Sequence, residues 1–135
     1  KPVQGMKIEM PGFITYANHI VAVRIDADGK TQQAVISRKG VSNEVFDYVL
    51  NAGCAMKGDD LYVYYHSGRD ETEYILNEVI LDKTMRNIYN KDITDIIEKK
   101  RTFLDLNNMY SVDHNRKIVY GRIAKKTIAA SLDFK

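Results

Sequence analysis

Polar and apolar residues alternate through residues 59–83, and this alternation predicts a long antiparallel β-hairpin. In the outgoing run, successive side chains are expected to point to opposite faces of a strand. The two resulting sets are Leu61, Val63 and Tyr65, and Tyr62, Tyr64 and His66. Ser67–Asp70 supplies turn chemistry, and the return run, residues 74–81, is rich in β-branched and apolar residues.

The pairing in this hairpin determines which face is buried. A loop of either two or four residues gives the same parity, so the same side chains share a face in both cases. The face expected to form the core carries Leu61, Val63, Tyr65, Tyr74, Leu76 and Ile80. The opposite face, with Tyr62, Tyr64 and His66, is expected to be open to solvent.

A second hairpin is predicted for residues 19–38, around Asp28-Gly29, a dipeptide typical of a type I′ turn. With these two residues as the loop, the apolar face pairs Val23 with Ala34 and Val21 with Ile36. Asp26–Gly29 also matches part of a calcium-binding loop. Since the later acidic ligands are absent, no metal site is predicted.

A third hairpin is predicted for residues 109–123, turning through Asp113–Arg116. The segment 124–132 fits either a continuing strand or a helix, because its apolar residues satisfy both periods.

Two helices are predicted between the hairpins. The first spans residues 42–53, with Ser42 as its N-cap and Gly53 at its end. The second spans residues 92–106, because its isoleucines and Leu104 follow a helical spacing. These elements predict an α+β fold: one antiparallel sheet built from three β-hairpins, with two helices packed mainly on one face.

Composition adds little about a partner. The 135 residues suit a single domain, residues 1–135, in which residues 1–5 are expected to be a remnant, a linker or the end of an upstream segment. A formal net charge of +2 is far from the excess of a dedicated nucleic-acid-binding tail. One cysteine, Cys54, excludes an intramolecular disulfide and is expected to be a buried structural residue. We therefore expect a cytoplasmic protein with no cofactor and no membrane partner.

His66 is the residue with most catalytic interest, because it is expected on the exposed face beside Arg69 and the tyrosines. A histidine and an arginine together suit metal-independent cleavage of RNA, in which one group removes the 2′-hydroxyl proton and the other stabilises the phosphorane. The competing interpretation is an exposed cross-strand pair between His66 and a glutamate. Whether the chain is an enzyme is left open.

The aromatic and basic residues favour binding over catalysis. The chain has nine tyrosines and no tryptophan, and several tyrosines fall on predicted strands. The candidate binding residues are Tyr62, Tyr64, Tyr120, Arg122, Lys125 and Lys126. The main functional hypothesis is a small non-enzymatic binding or regulatory protein that uses a tyrosine-rich, mildly basic sheet face to bind nucleic acid or a protein partner. The alternative is a small metal-independent endoribonuclease that uses His66 with Arg69.

Overall fold

The computed structural model describes residues 15–39, 41–42, 51–70, 73–96, 103–123 and 126–134. Within these ranges it contains eleven β-strands and one short 3-10 helix, Thr94–Ile96. The strands are β1 Thr15–Tyr16, β2 His19–Ile25, β3 Thr31–Ser37, β4 Val41–Ser42, β5 Ala52–Lys57, β6 Asp60–Asp70, β7 Glu73–Leu81, β8 Asn87–Asp92, β9 Phe103–Asp113, β10 Arg116–Ile123 and β11 Lys126–Asp133.

All the strand pairings are antiparallel. A four-stranded sheet has the order β5-β6-β7-β8, and a three-stranded sheet has the order β11-β10-β9. Strands β2 and β3 form a separate hairpin, and β1 pairs with β4 over two residues on each strand. The hairpins therefore contribute to several small sheets rather than to one.

The four-stranded sheet is covered on both faces. One face contributes Tyr62, Tyr64 and Leu76 to a core shared with β9, β10 and β11. The other face contributes Val63 and Val79 to a core shared with the β2–β3 hairpin. The molecule thus has three β layers, with the four-stranded sheet in the middle.

The predicted α+β fold is wrong, because the described residues are almost entirely strand and no helix packs on a sheet face. The predicted helix 42–53 has its two ends in strands β4 and β5, while its residues 43–50 lie outside the described residues. The predicted helix 92–106 is replaced by the end of β8, the 3-10 helix and the start of β9, and its residues 97–102 lie outside the described residues. The isoleucine spacing at 93 and 96 predicts a helix, whereas the described residues there form a single 3-10 turn.

The hairpin predicted for residues 59–83 is present as β6 and β7, but its register differs from the prediction. Strand β6 runs through the predicted turn and ends at Asp70. An irregularity between Gly68 and Asp70 inserts an extra residue into the pairing, which reverses the parity. As a result Val63 lies opposite Val79, and Leu76 lies on the other face, opposite His66.

The hairpin predicted for residues 19–38 is present as β2 and β3, with a longer turn. The amide of Gly29 donates to the carbonyl of Asp26 at 2.9 Å, and the amide of Asp26 donates to the carbonyl of Lys30 at 2.8 Å. Gly29 has a positive φ of 84°, as in a type I turn completed by a left-handed glycine. The loop therefore has three residues instead of two, and Ala22 lies opposite Ala34.

This shift reassigns the two faces of the β2–β3 hairpin. The packed side carries the apolar residues Ile20, Ala22, Ala34 and Ile36. The exposed side carries Val21, Val23, Ile25 and Val35, each more than half exposed. The predicted pairs Val23 with Ala34 and Val21 with Ile36 are wrong for the same reason.

The third predicted hairpin is confirmed as β9 and β10, turning at His114 and Asn115. Strand β9 begins at Phe103, earlier than the sequence pattern indicated. The segment that fitted either strand or helix forms β11, which pairs with the full length of β10.

Gly53 lies in β5, where that strand packs tightly against β9. A Cβ atom at this position would lie 3.0 Å from the carbonyl carbon of Leu106, and closer still to the carbonyl oxygen. Backbone atoms cannot move aside as a flexible side chain can. Glycine at this position therefore allows the two sheets to approach each other, a role quite different from the predicted helix ending.

Gly53→Ala is expected to reduce the free energy of unfolding by about 3 kcal/mol, at the upper end of the usual cost of overpacking, because the strands must separate. Gly58→Ala is the matched control, since Gly58 has a φ of 60° with no atom within 4 Å of an added Cβ. Only backbone strain of about 1 kcal/mol is expected there. Urea denaturation measures both, and an equal loss in the two variants would contradict the close approach of β5 and β9.

Candidate functional site

The face predicted to be exposed on β6 is buried. Tyr62 is 5% exposed, Tyr64 is 0% exposed and His66 is 1% exposed. Phe134 packs against this face, with its ring edge-to-face on Tyr62 at a centroid distance of 5.1 Å. The predicted open tyrosine and histidine surface on this strand is therefore wrong, because the three-stranded sheet and Phe134 cover it.

His66 is held as a neutral imidazole. The amide of Leu104 donates a hydrogen bond to His66 Nε2 at 2.9 Å, so this nitrogen is an acceptor. Burial lowers the pKa of His66 to about 4. His66 is enclosed and its Nε2 already accepts from the backbone, so this histidine itself is not placed as an accessible base for RNA cleavage.

Tyr64 acts as a buried hydrogen-bond donor within the sheet. Its hydroxyl donates to Glu78 Oε2 at 2.6 Å across the β6–β7 pair. Burial, followed by this hydrogen bond, raises the pKa of Tyr64. The phenol therefore stays protonated and fixes the position of the Glu78 carboxylate.

The other predicted site residues fall in different places. Arg69 lies in β6, but its side chain lies outside the described part of the structure, and Lys125 also lies outside the described residues. Lys126 is exposed at the start of β11, opposite Ile123, on the other face of the sheet from Tyr120. Cys54 is exposed on β5, so the prediction of a buried cysteine is wrong.

Tyr120 and Arg122 do share an exposed surface, and Tyr110 joins them. We call the outward side of β9–β10–β11 the tyrosine face, defined by Tyr110, Arg116, Ile118, Tyr120 and Arg122. Ile118 lies directly opposite Tyr110, and the rings of Tyr110 and Tyr120 meet edge-to-face at 5.8 Å. Tyr110 is 56% exposed and Tyr120 is 49% exposed, so both rings are accessible.

The neighbouring strand makes these rings stand out from the surface. On β11 the outward residues are short, and they are Thr127, Ala129 and Ser131. Ala129 lies opposite Tyr120, so it leaves one side of that ring uncovered. The register of the β9–β10 hairpin brings the two tyrosines together, and the sequence pattern predicts that both lie on strands.

Charge on the tyrosine face is balanced. Arg116 Nε lies 3.0 Å from Asp133 Oδ1, and Arg116 also lies opposite Asp113. Arg122 lies between Phe103 and Thr127 on the neighbouring strands. Among the described residues of this face, two arginines and two aspartates give no excess of positive charge, whereas a mildly basic face is expected from the sequence.

A groove of about 320 Å³ lies over the β8 side of the four-stranded sheet. Its base is a row of paired residues, Tyr62, Ile80 and Tyr89, across β6, β7 and β8. The 3-10 helix closes one side, and the end of β11 closes the other. Local sequence patterns could not predict this groove, because its walls come from segments far apart in the chain.

The 3-10 helix is anchored at this edge by Leu76, in the first half of β7. The amide of Ile93 donates to the carbonyl of Leu76 at 2.8 Å, and the amide of Leu76 donates to Thr94 Oγ1 at 3.0 Å. These two bonds fix the segment that carries Asp95 beside the groove.

No protein-family model matches the chain, nor does any curated protein or solved structure. Among the described residues, no helix has the length and apolar character needed to cross a membrane. The same residues contain no group of three or more His, Cys, Asp or Glu side chains placed to hold a metal ion. Function must therefore be inferred from the two surfaces themselves.

The burial of His66 predicts a specific dependence of stability on pH. Between these two pKa values the unfolded imidazole, with a pKa near 6.5, binds a proton, whereas the folded imidazole, with a pKa of about 4, stays neutral. Protonation therefore favours the unfolded chain. The free energy of unfolding has its full value above pH 6.5 and decreases as the pH falls towards 4. At one pKa unit per 1.36 kcal/mol, the total loss is about 3 kcal/mol.

Urea denaturation between pH 7 and pH 4 measures this loss. His66→Gln is expected to remove the histidine part of the pH dependence, whatever its effect on absolute stability. His114→Gln is the control, because His114 is exposed in the β9–β10 turn. If His66→Gln and the unmodified chain lose stability in parallel, His66 is not a buried neutral group.

Proposed function

We propose that this chain is a small non-enzymatic binding module that docks a protein partner on its tyrosine face. The observation that carries the proposal is the contact between Tyr110 and Tyr120, two half-exposed rings at 5.8 Å on neighbouring strands of the sheet. A cytoplasmic location stays a prediction from the sequence.

The chemistry of the face supports this choice. Tyrosine and arginine are enriched at the energetic centres of protein interfaces, where a large ring buries area at a low cost in conformational entropy. Ile118 supplies an apolar position directly opposite Tyr110, and Arg122 supplies a guanidinium at the margin. This is the composition of a small interface centre with a polar rim.

Charge balance favours a protein over a nucleic acid. Binding to single strands depends on phosphate neutralisation as well as on base stacking. Arg116 lies between Asp113 and Asp133, so these two carboxylates offset the charges of Arg116 and Arg122, and neutralisation of phosphates contributes little to affinity on this face. Exposed rings without excess positive charge therefore support docking of a protein surface.

Tyr120→Ala is expected to weaken binding of the partner by at least about 2 kcal/mol, the loss that defines an interface hot spot. Immobilised chain is used to capture proteins from the source cells, and captured proteins are purified for titration. Ile88→Ala is the matched control, because Ile88 is a large exposed side chain on β8 that belongs to neither the tyrosine face nor the groove. A protein qualifies only if Ile88→Ala retains it and Tyr120→Ala loses it; if every captured protein binds both variants equally, the proposal is wrong.

Nucleic acid is tested directly with labelled single-stranded RNA and DNA at low ionic strength. Fluorescence anisotropy is expected to stay flat, because the face lacks net positive charge. Salt-sensitive binding that weakens in Tyr120→Ala, and whose salt slope falls by about one unit in Arg122→Gln, would replace the protein partner with a nucleic acid.

A further inference from the structure

We propose that the groove between β8, the 3-10 helix and the end of β11 is a binding site for an alkylammonium group: a primary ammonium carried on an aliphatic stem. This site borders the tyrosine face at the end of β11, where Asp133 lines the groove and pairs with Arg116, but it does not depend on the proposed docking function. Its walls combine carboxylates, aromatic rings and aliphatic side chains in one concavity.

The charges that line the groove favour a cation. Glu78, Asp95 and Asp133 contribute carboxylates, and the cation among the lining residues is Lys91. Lys91 lies opposite Glu78 in the β7–β8 register, yet no ion pair within 4.0 Å joins them. Arg116 pairs with Asp133 at 3.0 Å, so with Lys91 it offsets two of the three carboxylates, and the remaining negative charge is what a ligand ammonium would balance.

Glu78 is already oriented for such a contact. Tyr64 holds its Oε2 from beneath with the 2.6 Å hydrogen bond, so little side-chain freedom is lost when a ligand binds. Burial, followed by the charges of Glu78 and Asp60, raises the pKa of Tyr62, which lies beside Glu78 in the groove. A negative local potential at Tyr62 agrees with the carboxylate-rich lining.

The aromatic and aliphatic walls suit the rest of the ligand. The rings of Tyr62 and Tyr89 lie on the same face of the sheet and line the groove, and aromatic faces attract alkylammonium groups. Ile80, Ile93 and Leu132 provide apolar surface against which a methylene stem packs. The volume of about 320 Å³ is at the lower end of the range of small-molecule sites, large enough for one amine-bearing chain.

Two compounds that each carry a primary ammonium on an aliphatic stem are tested separately as probes. One is 1,5-diaminopentane, a free diamine, and the other is Nα-acetyl-lysine amide, which represents a lysine side chain of a peptide. Nα-acetyl-norleucine amide is the neutral control with the same backbone and a similar stem. Amide chemical shifts of the folded chain are followed by NMR during titration with each compound.

At least one amine is expected to shift the amides of Lys91, Ile93 and Ser131, whereas the norleucine compound is not. Stronger binding of the diamine identifies a free amine as the ligand type, and stronger binding of the lysine compound identifies a peptide side chain. Equal shifts with norleucine, or no shifts with either amine at millimolar concentration, would overturn the proposal.

Two substitutions give opposite expected changes in affinity. Glu78→Gln is expected to weaken amine binding by about tenfold, the effect of losing one charge-assisted hydrogen bond. Lys91→Gln is expected to strengthen it, because the competing cation is removed. Asp28→Asn is the matched control, since it removes an exposed carboxylate from the β2–β3 hairpin, which packs on the other face of the four-stranded sheet.

Each variant is first shown by thermal melting to be folded. Unchanged affinity in Glu78→Gln, or weaker binding in Lys91→Gln, would show that the groove does not select for positive charge. If Glu78→Gln does not fold, the Lys91 and Asp28 variants still test the proposal, because only Lys91→Gln is expected to change affinity.

Discussion

Burial of both faces of the four-stranded sheet is the constraint on which the rest of the structure depends. Along β6 the consecutive residues from Tyr62 to His66 are all at most 5% exposed, so no side of this strand is left for solvent. Their polar atoms must then find partners inside the protein, because an unpaired buried polar group is costly. Tyr64 donates a hydrogen bond to Glu78, and His66 accepts one from the amide of Leu104. Residues that looked suited to chemistry on the surface are therefore used to connect the layers.

The strands were predictable from the sequence because alternation is a local property. The three predicted hairpins exist, including the one through residues 59–83 around which the structure is arranged. The faces were harder to predict, because the side-chain period of a strand is two and one extra residue reverses it. The extra pairing residue between Gly68 and Asp70, and the third loop residue near Gly29, each caused such a reversal. Tyrosine and histidine do not resolve the ambiguity, since their apolar bodies and polar tips suit either side of a sheet.

The prediction of two helices was wrong for a different reason. In residues 92–106, Ile93 and Ile96 do pack at the edge of the sheet, but as part of a short 3-10 turn. A few isoleucines at helical spacing cannot show whether the chain continues as a helix, since tertiary pairing of the following residues with β10 overrides local preference.

The groove could not be predicted for a related reason. Glu78, Asp95 and Asp133 are brought together by long-range pairing, whereas Tyr110 and Tyr120 belong to one hairpin and were within reach of local reasoning.

The two proposed surfaces meet at a single ion pair, and its strength decides whether they can act independently. Arg116 belongs to the tyrosine face, while Asp133, its partner at 3.0 Å, also lines the groove. Both side chains are more than half exposed, at 54% and 59%, so water and salt screen their attraction. Such a pair contributes at most about 1 kcal/mol. A partner that attracts Arg116, or an amine that attracts Asp133, therefore breaks this pair at little cost. The coupling between the surfaces is limited to the same small energy, so changes of affinity of tenfold or more at one surface report on that surface alone.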